Sequence, residues 1–242
     1  MLPFKDKPLS EISGDDISYS LRRYYVDSFQ QKLFAQISFP SRVLDIGGVR
    51  GVTRGEFRMP DDFRRVVLNI RRSHQTDLAA DAALLPLVSK QFDVVLCAEV
   101  LEHVIAPPAV LHQTWRILKP GGRLIVTVPF LFRQHADPSD YGRYTEWYWR
   151  AHLERLGFEN IQIEKQGLFF SVFVDMLRHW MANNLLNGGG FYRLRSWSFR
   201  KIYLVLRKYA LRFDEQPVHQ VQAFWGAYPG GFGIQAFKPE QR

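Results

Sequence analysis

Cysteine is almost missing from this chain of 242 residues: Cys97 is the single one. That excludes an intramolecular disulfide framework and a Cys-cluster zinc site, and a reducing compartment is the natural reading. Long apolar runs are missing too. No stretch approaches the roughly 20 residues needed to span a bilayer. The first 16 residues hold no apolar segment of the kind a signal peptide needs, so a cytoplasmic protein is expected. Internal repeats and low-complexity tracts are absent, which sets aside solenoids and collagen-like chains. Charged residues are a modest 23% against 46% hydrophobic, so the chain can bury a core.

Acidic charge is the scarcer sign, and the net charge is +8. The excess is concentrated. Residues 168–212 carry eight Lys or Arg and one acid, Asp175, for a net +7, together with ten of the chain's aromatics. Rings interleaved with Arg and Lys suit a helix lying on anionic lipid, a lid or a homodimer surface. The same pattern could meet RNA, but no RNA-binding motif accompanies it. Two helices with a bend at Asn187–Gly190 are expected here.

Elsewhere, short β-branched runs alternate with helical periodicity. Asp16 is placed to cap a helix reaching about Ile37, and residues before it form an arm. Strands are expected at 43–46, 65–70, 92–98, 123–128, 161–164 and 233–237, with helices at 107–118 and 144–156. This order implies an α/β fold with a mostly parallel sheet covered on both faces. The expected organisation is an N-terminal arm and helix over 1–40 and one domain over 41–242, with 168–212 inserted before the last strand.

Ligands of such sheets sit at the carboxyl ends of the strands, where glycines admit them to the backbone. Three segments have that character. The first strand ends in Asp45 and runs into Gly47, Gly48 and Gly51. Asp77-Leu78-Ala79-Ala80-Asp81-Ala82 offers acids as hydrogen-bond acceptors, or as turn caps. Phe92–Ala98 runs directly into Glu99, Glu102 and His103. Glu99 and His103, four apart, are too few for a metal, and no HExxH is present, so no metal is expected. Leu118-Lys119-Pro120-Gly121-Gly122 is a tight helix-to-strand turn.

In this order and spacing, across about residues 40–165, these segments resemble the class I S-adenosylmethionine (SAM)-dependent methyltransferases of the type 11 group. The resemblance implies a Rossmann-like seven-stranded sheet of order 3-2-1-4-5-7-6 with the last strand antiparallel. It implies that SAM is held by Asp45, Gly47, Gly48 and Gly51 on the methionine side, by Asn69 at the ribose and by Asp81 and Ala82 at the adenine, with Glu99 bordering the site and His103 just beyond. Val49 stands where the family has its middle glycine, and Asn69 where it has an acid. Gly55 and Pro60 leave little room for the helix that usually follows the glycine turn.

The stretch from Val128 to Thr145 resembles a signature of type 11 members associated with cell-envelope glycan biosynthesis. It implies O-methylation of a sugar hydroxyl on a nucleotide sugar or lipid-linked glycan. Arg133, Tyr141 and Arg143 are the substrate-binding candidates, since Arg bonds hydroxyls and rings stack on sugars. The alternative reading of this stretch is an internal network of Asp140, Arg143 and Thr145. Removal of the hydroxyl proton needs only a modest base. His135 is first choice because imidazole titrates near neutrality, followed by Asp140 and His103. Alternatives are methylation of a small metabolite or an RNA base, or a non-catalytic scaffold of the same fold.

Overall fold

The computed structural model describes residues 19–51, 55–135, 139–185 and 192–240. The arm, the expected cap Asp16 and the bend at Asn187–Gly190 lie outside them. The first helix, α1 (Leu21–Phe34), starts at Ser20, whose hydroxyl accepts from the Arg23 N–H. It then alternates with strands as the periodicity suggests. The strands are β1 (Arg42–Ile46), β2 (Arg64–Asn69), β3 (Leu78–Ala79), β4 (Phe92–Ala98), β5 (Leu118–Pro129), β6 (Glu159–Lys165) and β7 (Gly231–Phe237). Between them run α2 (Pro107–Ile117), α3 (Glu146–Leu156), α4 (Phe169–Leu185), α5 (Tyr192–Asp214), α6 (Pro217–Val221) and α7 (Ala223–Gly226).

The strand order is β3-β2-β1-β4-β5-β7-β6, and β7 runs antiparallel to both its neighbours. That is the expected topology. The two-residue β3 is the seventh strand that the resemblance implied, and its place was not read from the residues because Leu78–Ala79 is too short to show a strand period. The fifth strand begins at Leu118 rather than at 123, because Leu118 already pairs with Phe92 of β4; the ladder shifts register after that pair, and Gly121 has φ of +72°, so the glycine turn is carried as an irregularity within the strand. No helix occupies the described residues between β1 and β2.

One main core lies on β1, β4 and β5, with Leu44, Val95, Leu111, Leu124 and Trp149 at most 1% exposed. Another joins α1 to α4 and α5 through Leu21, Val174, Phe199 and Tyr203. Acids on the helical pair satisfy the open helix starts. Asp175, the one acid of the basic segment, accepts from the Leu21 and Arg22 N–H groups at 3.1 and 2.9 Å. Asp214 accepts from Leu168 and Ser171 at 3.0 and 2.8 Å. The rings of the basic segment therefore divide. Phe199 and Tyr203 are core, while Phe173, Trp180 and Tyr209 are exposed. Arg207 is buried, with its guanidinium 5.2 Å from the centroid of the Tyr19 ring.

Candidate active site

The glycine turn after β1 is built for a tight approach. Gly47 and Gly51 have φ of +78° and +73°, in the left-handed region that glycine tolerates. A Cβ on Gly47 would strike Val100 at 2.4 Å. Val49 is not among the residues with positive φ, so the side chain at the family's glycine position meets no backbone conflict. Asn69 ends β2, where its amide donates to the carbonyl of Gly48 at 3.2 Å. It thus fastens the glycine turn. Asp45 is buried and paired with Arg65, whose Nε lies 2.9 Å from Oδ2. Asp81 is exposed, and its Oδ1 accepts from the Ala83 N–H at 2.8 Å, a turn-capping bond that leaves Oδ2 available. Ala82 is buried beside it. Ile70, one residue beyond β2, is 61% exposed at this same edge. Sequence reasoning passed over it because an apolar residue at a strand end looks like core.

Glu99 leaves β4 with φ of +55°, a strained conformation for a residue with a side chain. Its carboxylate is gripped by Arg22 of α1, Nε to Oε2 at 3.1 Å and Nη2 to Oε1 at 2.5 Å, while Arg22 Nη1 donates to Gln166 at 2.7 Å. Burial works to raise the Glu99 pKa, but the Arg22 guanidinium outweighs it and holds the group below the ordinary carboxylate value. Neither Arg22 nor Gln166 was foreseen. Both act across more than 60 residues, and no local pattern marks them.

Glu102 was also unassigned by sequence. It is 1% exposed, and neither carboxylate oxygen has a hydrogen-bond partner. Burial first, and the Glu99 charge second, push its pKa up to about 8. Two imidazoles face it. His103 Nε2 is 3.7 Å and His135 Nε2 4.0 Å from Oε1. Burial lowers the His135 pKa, and the neighbouring His103 adds to that.

The His135–Arg143 loop is organised by an ion pair. Arg143 donates to both oxygens of Asp140, at 2.5 and 2.6 Å, and Asp140 accepts the His135 N–H at 3.0 Å. Arg143 holds the Asp140 pKa down to about 2. The internal network is thus present, although Thr145 makes no side-chain cap. Tyr141 is exposed, and its N–H donates to the Glu102 carbonyl at 2.7 Å. Arg133 is exposed beside the Phe132 ring.

A cavity of about 570 Å³ opens between α1, the segment after β5, and α4. Its walls are largely apolar, with Leu21, Phe130, Phe132, Val172 and Trp180, and Arg22, Arg133 and Arg178 supply charge. His135 stands edge-on to Phe132 with ring centroids 5.5 Å apart. The cavity meets the Arg22–Glu99 pair through Arg22 and Gln166, which line it.

Residues 61–126 match the type 11 methyltransferase domain family. The ubiquinone biosynthesis O-methyltransferase of Pseudomonas entomophila strain L48 is 33% identical over 97 residues, which is 34% of this chain and 42% of that protein. The chain thus matches less than half the length of such relatives. Among solved structures, phosphoethanolamine N-methyltransferase 2 of Haemonchus contortus in complex with SAM has a TM-score of 0.53 at 14% identity, covering 99% of this chain and 61% of that one. A SAM-dependent methyltransferase from Archaeoglobus fulgidus has 0.52 at 15%, covering 89% and 94%. The chain has the fold of these solved methyltransferases, and its residues 61–126 match the methyltransferase domain family.

Proposed function

We propose that the protein is a SAM-dependent O-methyltransferase whose acceptor is a hydroxyl on an amphipathic molecule, a lipid-linked sugar being the case its loops suit best. The observation that carries this is one sheet edge with two different sides. On one side is a glycine turn with a left-handed Gly47 and Gly51, an exposed Ile70 and an acid at Asp81. On the other is a largely apolar cavity whose lining includes the ionisable Arg22, Arg133, Asp175 and His179. The first side fits SAM. Gly47 and Gly51 keep the backbone clear, Asp81 has a carboxylate oxygen to offer, and Ile70 gives the adenine an apolar face. Asn69 leaves its carbonyl for a ribose hydroxyl, without the charge assistance an acid would add. Asp45 sustains the turn through Arg65. When bound, SAM would supply a methyl group activated by its sulfonium: the acceptor oxygen would form a bond to that carbon in line with the C–S bond, which breaks and leaves S-adenosylhomocysteine.

The residues of the chain then have two tasks, to position the acceptor and to take its proton. His135 is the first choice for the proton, since burial keeps its ring neutral at physiological pH and able to accept. Asp140 is a poor base with its pKa near 2, and its contribution is to orient the His135 loop through Arg143. His103 stands behind it. Arg133 and Tyr141 are exposed donors for hydroxyls, whereas Arg143 is spent on Asp140. The mostly apolar walls favour an acceptor with an apolar portion over a free nucleotide sugar. That the curated relatives are O-methyltransferases favours oxygen as the methylated atom.

An anionic membrane is the source we assign to such an acceptor. On α5, Ile202, Val205 and Tyr209 form one exposed row flanked by Lys201, Lys208 and Arg212, also exposed. Apolar side chains within a basic border fit an interfacial surface. The exposed Met176 and Trp180 of α4 line the cavity itself, which links that surface to the site.

The test is calorimetry with SAM and S-adenosylhomocysteine, followed by methyl transfer to lipid-linked sugars and to nucleotide sugars. Micromolar cofactor binding with turnover on the lipid-linked set is expected. Absence of cofactor binding would leave the scaffold reading. Turnover on nucleotide sugars alone would overturn the lipid-linked assignment.

A further inference from the structure

Glu102, His103 and His135 come from two separate loops, and each presents one ligand atom within 4.8 Å of the others. We propose that these three side chains form a binding site for a divalent transition-metal ion of the Zn²⁺ or Co²⁺ type.

Three observations support it. The first is the carboxylate. Glu102 is buried with both oxygens unpartnered, and a buried acid without hydrogen bonds or a counter-ion is costly. Its neighbour Glu99 has taken the buried guanidinium of Arg22. What faces Glu102 instead is a pair of imidazole nitrogens.

The second is the orientation of those rings. His103 Nδ1 lies 2.5 Å from the Ser139 carbonyl. A carbonyl can only accept, so Nδ1 carries the hydrogen, and in the neutral ring the lone pair is then on Nε2, the nitrogen that faces Glu102. His135 Nδ1 lies 3.4 Å from both the Arg133 carbonyl and the Asp140 carboxylate, again two acceptors, and its Nε2 also turns to Glu102. Metal-bound histidines have this arrangement, with the far nitrogen donating to a carboxylate or a carbonyl. Two such rings bring two lone pairs to one buried carboxylate.

The third is dimension and donor type. Ligand atoms about 2.0–2.2 Å from a tetrahedral zinc lie roughly 3.4 Å from one another. The Glu102–His103 and Glu102–His135 separations of 3.7 and 4.0 Å therefore need a contraction of a few tenths of an ångström, and the third pair, which lies within 4.8 Å, closes by up to about 1.4 Å through rotation of the imidazole side chains toward a common centre. Two imidazoles with one carboxylate suit Zn²⁺ or Co²⁺, whereas Mg²⁺ and Ca²⁺ prefer oxygen throughout. Three protein ligands leave a fourth position for an outside oxygen.

The site stands on this geometry alone. Its use in the reaction rests on the reading given above: an acceptor hydroxyl in the fourth position would be acidified by the cation and would lose its proton to solvent before its oxygen takes the methyl group from SAM, and His135 would then serve as a ligand in place of a free base.

Co²⁺ titration of the tag-free, chelator-treated protein tests the site directly, since four-coordinate Co²⁺ absorbs visibly and no turnover is required. One equivalent should bind. Glu102→Gln and His103→Ala should each weaken it by roughly tenfold or more. X-ray absorption of the wild-type complex should count two imidazoles, which keeps the test valid if a variant fails to fold. No stoichiometric binding, affinity unchanged in both folded variants, or fewer than two imidazoles would overturn the site. Metal binding without methyl transfer would leave the site standing and remove the proposed reaction. Methyl transfer by the metal-free protein with no binding of Co²⁺ would do the reverse.

Discussion

Replacing Arg22 by Met would cut the connection between α1 and the end of β4. Arg22 makes two bonds to Glu99 and one to Gln166, and the Arg22 and Glu99 side chains are 5% and 10% exposed. Solvent therefore cannot take over when the guanidinium is removed. Deleting one partner of such a buried pair costs about 3–5 kcal/mol, because the other charge is left without compensation. Removing both charges is much milder. Arg22→Met should lose stability of that order in urea unfolding at pH 7, and Arg22→Met combined with Glu99→Gln should recover roughly 2 kcal/mol or more of it.

Acid sharpens the test. The Glu99 pKa is depressed in the folded protein, so its contribution is present above the unfolded carboxyl value of about 4.3 and is lost as pH falls through the folded value. Without Arg22, burial raises the same pKa, and the carboxyl takes up a proton on folding. The gap between wild type and Arg22→Met should then narrow as pH is lowered toward about 4. A loss under about 1 kcal/mol at neutral pH, or a double variant no better than the sum of the singles, would refute the account of this pair.

Three further outcomes are expected. Asp81→Ala should weaken SAM binding by up to about 1–3 kcal/mol in calorimetry, and unchanged affinity in the folded variant would remove Asp81 from the adenine side. Asp214→Ala deprives the Leu168 and Ser171 N–H groups of their acceptor. It should cost about 1–2 kcal/mol in thermal or urea unfolding. Ile202→Glu with Val205→Glu changes exposed positions of α5, so it should reduce flotation with anionic liposomes several-fold without shifting the melting temperature appreciably. Equal flotation with neutral liposomes, or none with either, would set aside the membrane surface.

The sheet was legible because its signals are local. Val43–Ile46 and Phe92–Ala98 are short buried runs ended by acid or glycine, and once their order resembles a known fold the strand order follows. Val49 and Asn69 looked like departures with a cost to the site. The structure gives each a physical explanation. The left-handed turns fall on Gly47 and Gly51, and Asn69 ties down the turn it adjoins. The basic segment was legible in charge but not in packing. Composition could not say that Phe199 and Tyr203 would close a core with α1 while Phe173 and Tyr209 stayed outside.

What stayed hidden has one physical form: a polar group whose partner is distant in sequence. Arg22 reaches Glu99 across 77 positions, and Gln166 joins them from 144 away. Glu99, Glu102 and His103 looked like a strand end with too few ligands for a metal, since a count along one segment cannot include His135. The loop that supplies His135 is held by Asp140 and Arg143, residues that as letters fit a sugar site equally well. Their bonds to each other show the cost of that double reading. An arginine with its Nη atoms committed to a carboxylate has less to offer a substrate, and an acid with its pKa near 2 accepts no proton at neutral pH. Glu102 and the Nε2 atoms of His103 and His135, three groups that face one another, keep capacity that the Asp140–Arg143 pair has already used.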